Sequence, residues 1–249
     1  MSIRMLANQE LVQGAFDRGR ILERKPIGFP QEGGPTKAYS NLFYWAHAWS
    51  EEGGLIGEHP HQGFEIISFV LTGEIEHYDS ANRGWKKLQA GDVQVIQAGN
   101  GITHAEKILA NSSIFQIWVD PDLKKTLSKE AAYRDYKANE FITEQTEETS
   151  TRMLFGPGAM DLDAEIETIR EIHWKKETAT WLLDPAFIYS FFILRGSMNI
   201  EGQSASQGAY VIVKETDKLH LDSISKDNTL FVVVTPNKPS YRTYAEMYL

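Results

Sequence analysis

Apolar residues, broken at intervals by glycine, set the chain out as a series of short strands. In residues 39–50, YSNLFYWAHAWS, Phe43, Trp45, His47 and Trp49 share one parity. Side chains two apart in a strand share a face, so this run predicts a strand. Residues 64–71 are almost continuously apolar, as expected for a strand covered on both faces. Residues 74–78 alternate again, and residues 93–97 and 114–119 read as further strands. Gly73, Gly91-Asp92 and Gly99-Asn100-Gly101 supply turns, and residues 80–84 a polar loop. Residues before Pro35 are punctuated by glycine and proline, which predicts a strand or two with loops. Helical periodicity is scarce. The pattern predicts an all-β chain built as a barrel or sandwich.

The pattern occurs twice. SFVLTG at residues 68–73 is echoed by FFILRG at 191–196, and AGDVQVI at 90–96 by QGAYVIV at 207–213. A repeated strand–turn–strand unit implies a repeated fold. Residues 120–148, charged and without period-two alternation, separate the copies. The expected organisation is a first domain over residues 1–120, a linker with a short helix over 121–150, and a second domain over 151–249.

Composition narrows the class. The chain has 249 residues, 42% hydrophobic and 24% charged, ordinary values for a soluble globular protein. There is no cysteine, so disulfides and thiolate ligands are excluded. The formal charge of -9 disfavours nucleic acid and anionic membrane as partners. The opening MSIRMLANQELVQG lacks the apolar core of a signal peptide, and no run is long enough to span a membrane. A cytoplasmic location is expected.

Chemistry concentrates in residues 53–106. Two clusters stand there, His59-Pro60-His61 and His104-Ala105-Glu106. Alternation puts His59 with His61 on one face, and His104 with Glu106 on another. If the two segments are neighbours in a barrel, all four side chains meet. Three imidazoles and a carboxylate suit one divalent first-row metal ion. Fe(II) leads, because nitrogen/oxygen sites with open positions favour it, and Ni, Cu, Mn or Zn fit the same donors. Glu65 shares the parity of His61, so strand geometry alone leaves it open as the carboxylate. His47, His77, His173 and His220 have no clustered partner and read as ordinary polar residues, with His47 lining the metal pocket as the sharper alternative. The places that mirror His59, His61, His104 and Glu106, counted from the matched glycines, are Leu182, Asp184, Leu221 and Ser223. The second barrel is therefore expected to be metal-free and structural.

HPHQGFE, LTGEIEHYDS and AGDVQVIQAGNGITHAE resemble the metal-binding half of the pirin family, a branch of the cupins that includes quercetin 2,3-dioxygenases. The resemblance is dense over residues 53–119. It implies a bicupin, two antiparallel jelly-roll β-barrels, with His59, His61, His104 and Glu106 as metal ligands and Glu65 behind them. It implies a dioxygenase that opens a flavonol such as quercetin with dioxygen and releases carbon monoxide. The implied partners are a small aromatic substrate and dioxygen. Glu106 would stay bound or take the 3-hydroxyl proton as general base. Phe43, Trp45 and Phe64 are candidate walls for a flat substrate, with core packing as the alternative. Gln62, Gln94 and Gln116 read as surface or structural amides, with ligand orientation as the alternative. The family also implies a second function, a non-enzymatic iron-binding redox sensor that modulates a transcription factor or metabolic enzyme through a protein partner.

Overall fold

The computed structural model describes residues 1–80, 83–156 and 160–249. Ala81 and Asn82, in the expected polar loop, lie outside the described residues. The chain divides into two units of antiparallel strands. The first comprises Leu11–Glu140, Leu162–Ala164 and Tyr241–Leu249, the second Met1–Glu10, Phe141–Asp161 and Glu165–Ser240. The elements of the first half are β1 (Ser2–Leu6), β2 (Val12–Phe16), β3 (Ile21–Ile27), β4 (Leu42–Ser50), β5 (Gly54–His61), β6 (Glu65–Thr72), β7 (Glu74–Asp79), β8 (Trp85–Gln89), β9 (Val93–Gln97), β10 (Ile102–Ile108), β11 (Ser112–Val119), α1 (Leu123–Thr126) and β12 (Ala132–Tyr136).

Among the described residues of the first unit, a seven-stranded sheet runs β12-β9-β6-β11-β4-β3-β2 and a four-stranded sheet runs β5-β10-β7-β8. Register arranges the interior in layers. Gln116 of β11 stands opposite Ser68 of β6 and Ala46 of β4, and Ser68 stands opposite Gln94 of β9. Cross-strand partners share a face, so these residues form one row. One step along the strands, Ile114, Val70 and Ala48 join Ile75, Leu88 and Ile108 in an apolar cluster. One step the other way lie Ile66, Ile96 and Trp118. A polar layer is thus held between two apolar ones.

The second unit repeats the plan. Its larger sheet runs through β1, Tyr210–Lys214, Phe187–Arg195, Asn228–Pro236, Thr168–Trp174, Thr149–Phe155 and Thr143–Gln145. Its smaller sheet runs through Thr178–Leu182, Lys218–Ser223, Ser197–Ile200 and Gln203–Ser206. The core is apolar, with Ile172, Phe191, Leu221 and Val232 buried. The two sequence echoes fall on the same strand–turn–strand unit. Gly73 and Gly196 both take positive φ, 68° and 82°, and a Cβ at either would collide with neighbouring atoms. This is the expected bicupin class, two antiparallel β-barrels.

Two segments depart from a simple division along the chain. β1 pairs with Tyr210–Lys214, and its Ile3 and Met5 pack on the second core. Those apolar side chains place the first strand in the second unit. Within residues 121–150, α1 is capped by the Asp122 side chain, β12 pairs with β9 in the first unit, and Thr143–Gln145 pairs with Thr149–Phe155 in the second. Among the described residues no helix is long and apolar enough to cross a membrane.

Candidate metal centre

β5 is an edge strand of the small sheet, where a proline is tolerated because its missing N–H faces no partner. Pro60 therefore fits between His59 and His61. β10 runs beside it, with His104 opposite His59 and Ile102 opposite His61. The register shifts between His104 and Glu106, an irregularity that lets β5 bend near Gly57. The His59 Nδ1–H donates to the Gly57 carbonyl at 2.8 Å, which leaves Nε2 with its lone pair. His104 Nε2 lies 3.0 Å from His59 Nε2 and 2.7 Å from His61 Nε2. These three residues form a metal-competent group whose ligand atoms all lie within 4.8 Å of one another.

The donor set fits a cation. One proton at most can be shared at each close contact, so three ring nitrogens facing one another hold surplus lone pairs. Two nitrogens bound to a metal at about 2.1 Å and at right angles stand about 3.0 Å apart, close to the spacing seen here. Burial, with His104 and His59 nearby, lowers His61 to about 3. Burial and His59 lower His104 to about 3, against the opposing pull of Asp79. Both rings are therefore neutral at physiological pH, the form that binds metal.

Glu106 is not part of this group. It is buried in the polar layer, where Oε1 accepts from Ser68 Oγ at 3.2 Å and Oε2 accepts from Gln116 Nε2 at 2.7 Å. Gln116 in turn accepts from the Trp118 indole at 3.1 Å. Ser68 gave no signal in the sequence, because a single serine in an apolar strand has no pattern. Gln116 orients the carboxylate, the alternative reading of that amide.

The other candidates separate according to face. Glu65 does not stand behind the imidazoles. It is buried on the opposite face from Ser68, accepting from Gln97 Nε2 at 2.6 Å and from the backbone N–H groups of Asp163 and Ala164 at 2.7 and 2.8 Å. The shared parity with His61 is lost at the turn through Gly63, whose φ is 82°. His47 lies opposite Phe115 in the sheet, with its ring 5.4 Å from Trp49 and 5.5 Å from Phe115. Burial lowers it to about 4. Trp45 packs edge-on to Phe115 on that same face and is not a wall of the centre. Phe43 leaves this face because the register slips between Trp118 and Val119.

Phe43 and Phe64 lie 4.5 Å apart with their rings tilted by 31°, and both contact Trp118, which meets His61 edge-on at 4.8 Å. Tyr244 joins them from the C-terminal helix, 5.5 Å from Phe43 and 5.3 Å from Phe64. Trp118 and Tyr244 extend the aromatic wall, and only the parity of Trp118 with Gln116 hinted at it. On another side His61 borders an open groove of about 650 Å³, lined also by Gln62, Ser80, Asn100, Ile102 and Thr103. His77, unclustered in the sequence, sits behind His104, with Nε2 3.0 Å from His104 Nδ1.

Residues 35–119 match the pirin family. A Pseudomonas aeruginosa relative is 51% identical over 113 residues, 44% of this chain and 48% of its own, so the chain spans about half of that relative's length. Quercetin 2,3-dioxygenase of Escherichia coli K12 is 25% identical over 181 residues, 71% of this chain and 75% of that protein. The crystal structure of Escherichia coli YhhW aligns with a TM-score of 0.76 at 20% identity, covering 97% of this chain and 100% of that one. The nickel(II) complex of that bacterial pirin gives 0.75 at 20% identity, over 94% and 100%. At this identity the structural likeness is one of fold. The stretch from residue 35 to 119, which carries His59, His61, His104 and Glu106, is a pirin domain.

Proposed function

We propose that this chain is a metal-dependent dioxygenase that opens a flavonol such as quercetin with dioxygen. The proposed ligands of a divalent iron ion are His59, His61, His104 and Glu106. The convergence of three imidazole nitrogens beside a buried carboxylate carries the reading. Similarity to the quercetin 2,3-dioxygenase of Escherichia coli supplies the substrate class.

When bound, a divalent iron ion would supply Lewis acidity toward a substrate hydroxyl, and the deprotonated flavonol would supply the electrons that dioxygen takes up. The protein's own groups do the rest. Glu106 accepts the flavonol 3-hydroxyl proton at Oε1, the oxygen held by the longer bond from Ser68, while Gln116 keeps Oε2 in place. Phe43, Phe64 and Trp118 receive the flat rings. Gln62, Asn100 and Thr103 in the groove offer polar partners to ring hydroxyls. The second barrel takes no metal and serves as a structural partner.

The test is metal analysis of freshly purified protein, followed by aerobic incubation of the iron-loaded form with quercetin. Loss of flavonol absorbance with release of carbon monoxide is expected. Iron-loaded protein that leaves quercetin intact overturns the reading.

A further inference from the structure

We propose that His77 is a positioning residue that fixes which nitrogen His104 offers to a metal, by accepting the proton on the other one. This rests on the metal-binding reading above.

His104 turns Nε2 toward His59 and His61, so its Nδ1 points the opposite way, 3.0 Å from His77 Nε2. Both rings are fully buried. A lone pair on His104 Nε2 requires the proton on Nδ1, and a buried N–H requires an acceptor. His77 Nε2 is that acceptor, which confines the His77 proton to Nδ1. An acceptor behind a metal-binding imidazole sets its tautomer and raises its strength as a donor. His59 has the same device in the Gly57 carbonyl. For His104 the device is a side chain, and so it can be changed.

His77 is itself fixed in place. It stands opposite Glu106 in the β7–β10 register, and its ring stacks on Tyr133 at 5.0 Å with planes 6° apart. The Tyr133 hydroxyl donates to Asp135 at 2.5 Å and accepts from Gln94 Nε2 at 3.3 Å. The Lys86 ammonium lies 4.4 Å from the Tyr133 ring centre. Four strands, β7, β8, β9 and β12, thus hold one imidazole at one angle. The tautomer required of His77 makes its buried Nδ1 a donor. Gln94 Oε1, bonded like that Nδ1 to no partner among the described residues, is a buried acceptor on a side chain that touches the same tyrosine.

The test uses the full chain loaded with zinc. Long-range proton–nitrogen correlation through the imidazole rings should show His77 protonated at Nδ1 only, with Nε2 accepting. Protonation of His77 at Nε2 overturns the proposal without any variant. His77→Phe keeps a ring for Tyr133 to stack on and removes the acceptor, and it should lose zinc to a chelator about 10- to 100-fold more readily. His77→Gln, whose amide oxygen can accept the same proton, should stay within about threefold of wild type. Equal zinc retention by His77→Phe and wild type overturns the proposal, as does equal loss from both variants. Wild-type protein that binds no zinc, cobalt or iron instead fails the metal reading itself.

Discussion

The two barrels share a frame and fill it differently. Leu221 lies as far beyond the Gly208 turn as His104 lies beyond Gly91, and Ser223 likewise matches Glu106. Strand pairing gives the remaining equivalents. His104 pairs with His59 where Leu221 pairs with Ala179, and Ile102 pairs with His61 where Leu219 pairs with Trp181. Glu106 pairs with His77 where Ser223 pairs with Met198. Ala179 and Trp181 therefore occupy the places of His59 and His61. Counting along the chain reached Leu182 and Asp184 because the connection to the next glycine is longer in the second barrel. There the layer is mostly apolar, with Met198, Leu219 and Leu221 buried in the core and Ser223 in the place of Glu106. In the first barrel it holds His77, His104, Glu106 and Gln116. Burying an aliphatic side chain contributes about 1.5–3 kcal/mol, so the first barrel gives up core stability at this layer and replaces it with hydrogen bonds among polar groups.

The comparison breaks most sharply at His104. His104→Ala should reduce bound metal by at least about tenfold, measured by elemental analysis, because one of three converging nitrogens is gone. Leu221→Ala at the equivalent place should leave metal content unchanged. Glu106→Ala should lower flavonol turnover by about 10²–10⁴-fold, measured under air on a sample of verified metal content. Retained turnover would remove Glu106 from the base role.

Stability effects run the other way. Leu221→Ala should cost about 2–5 kcal/mol in denaturant unfolding, since it opens a cavity in a packed apolar layer. The smallest expected effect concerns pH. His47 is held neutral by burial, with a folded value of about 4 against the ordinary 6.5. Its contribution to stability is complete above about pH 6.5 and is lost as pH falls from there toward 4, because only the unfolded chain takes up the proton freely. His47→Phe should flatten that part of a plot of urea midpoint against pH.

The same contrast explains what could be read in advance. Short strands, glycine turns and a repeated unit were legible because each is a local pattern. His59, His61 and His104 were legible as a group because alternation holds within β5 and within β10. Parity failed wherever the backbone turned or bulged. It misplaced Glu65 across Gly63, it put Trp45 with Phe43 although a register slip divides them, and it gave no view of His77 across Gly73. Tyr244 could not be foreseen at all, because it reaches the aromatic wall from the far end of the chain.

β1 sets an order on biosynthesis. Its five residues are synthesised before β2–β12, yet the strand they pair with, Tyr210–Lys214, is synthesised only after those strands. The first unit can close before β1 finds its partner, since domains fold as units during translation. The sister barrel has to wait, and a bulky tag fused ahead of Ser2 should hinder that late docking more than it disturbs the metal-binding half.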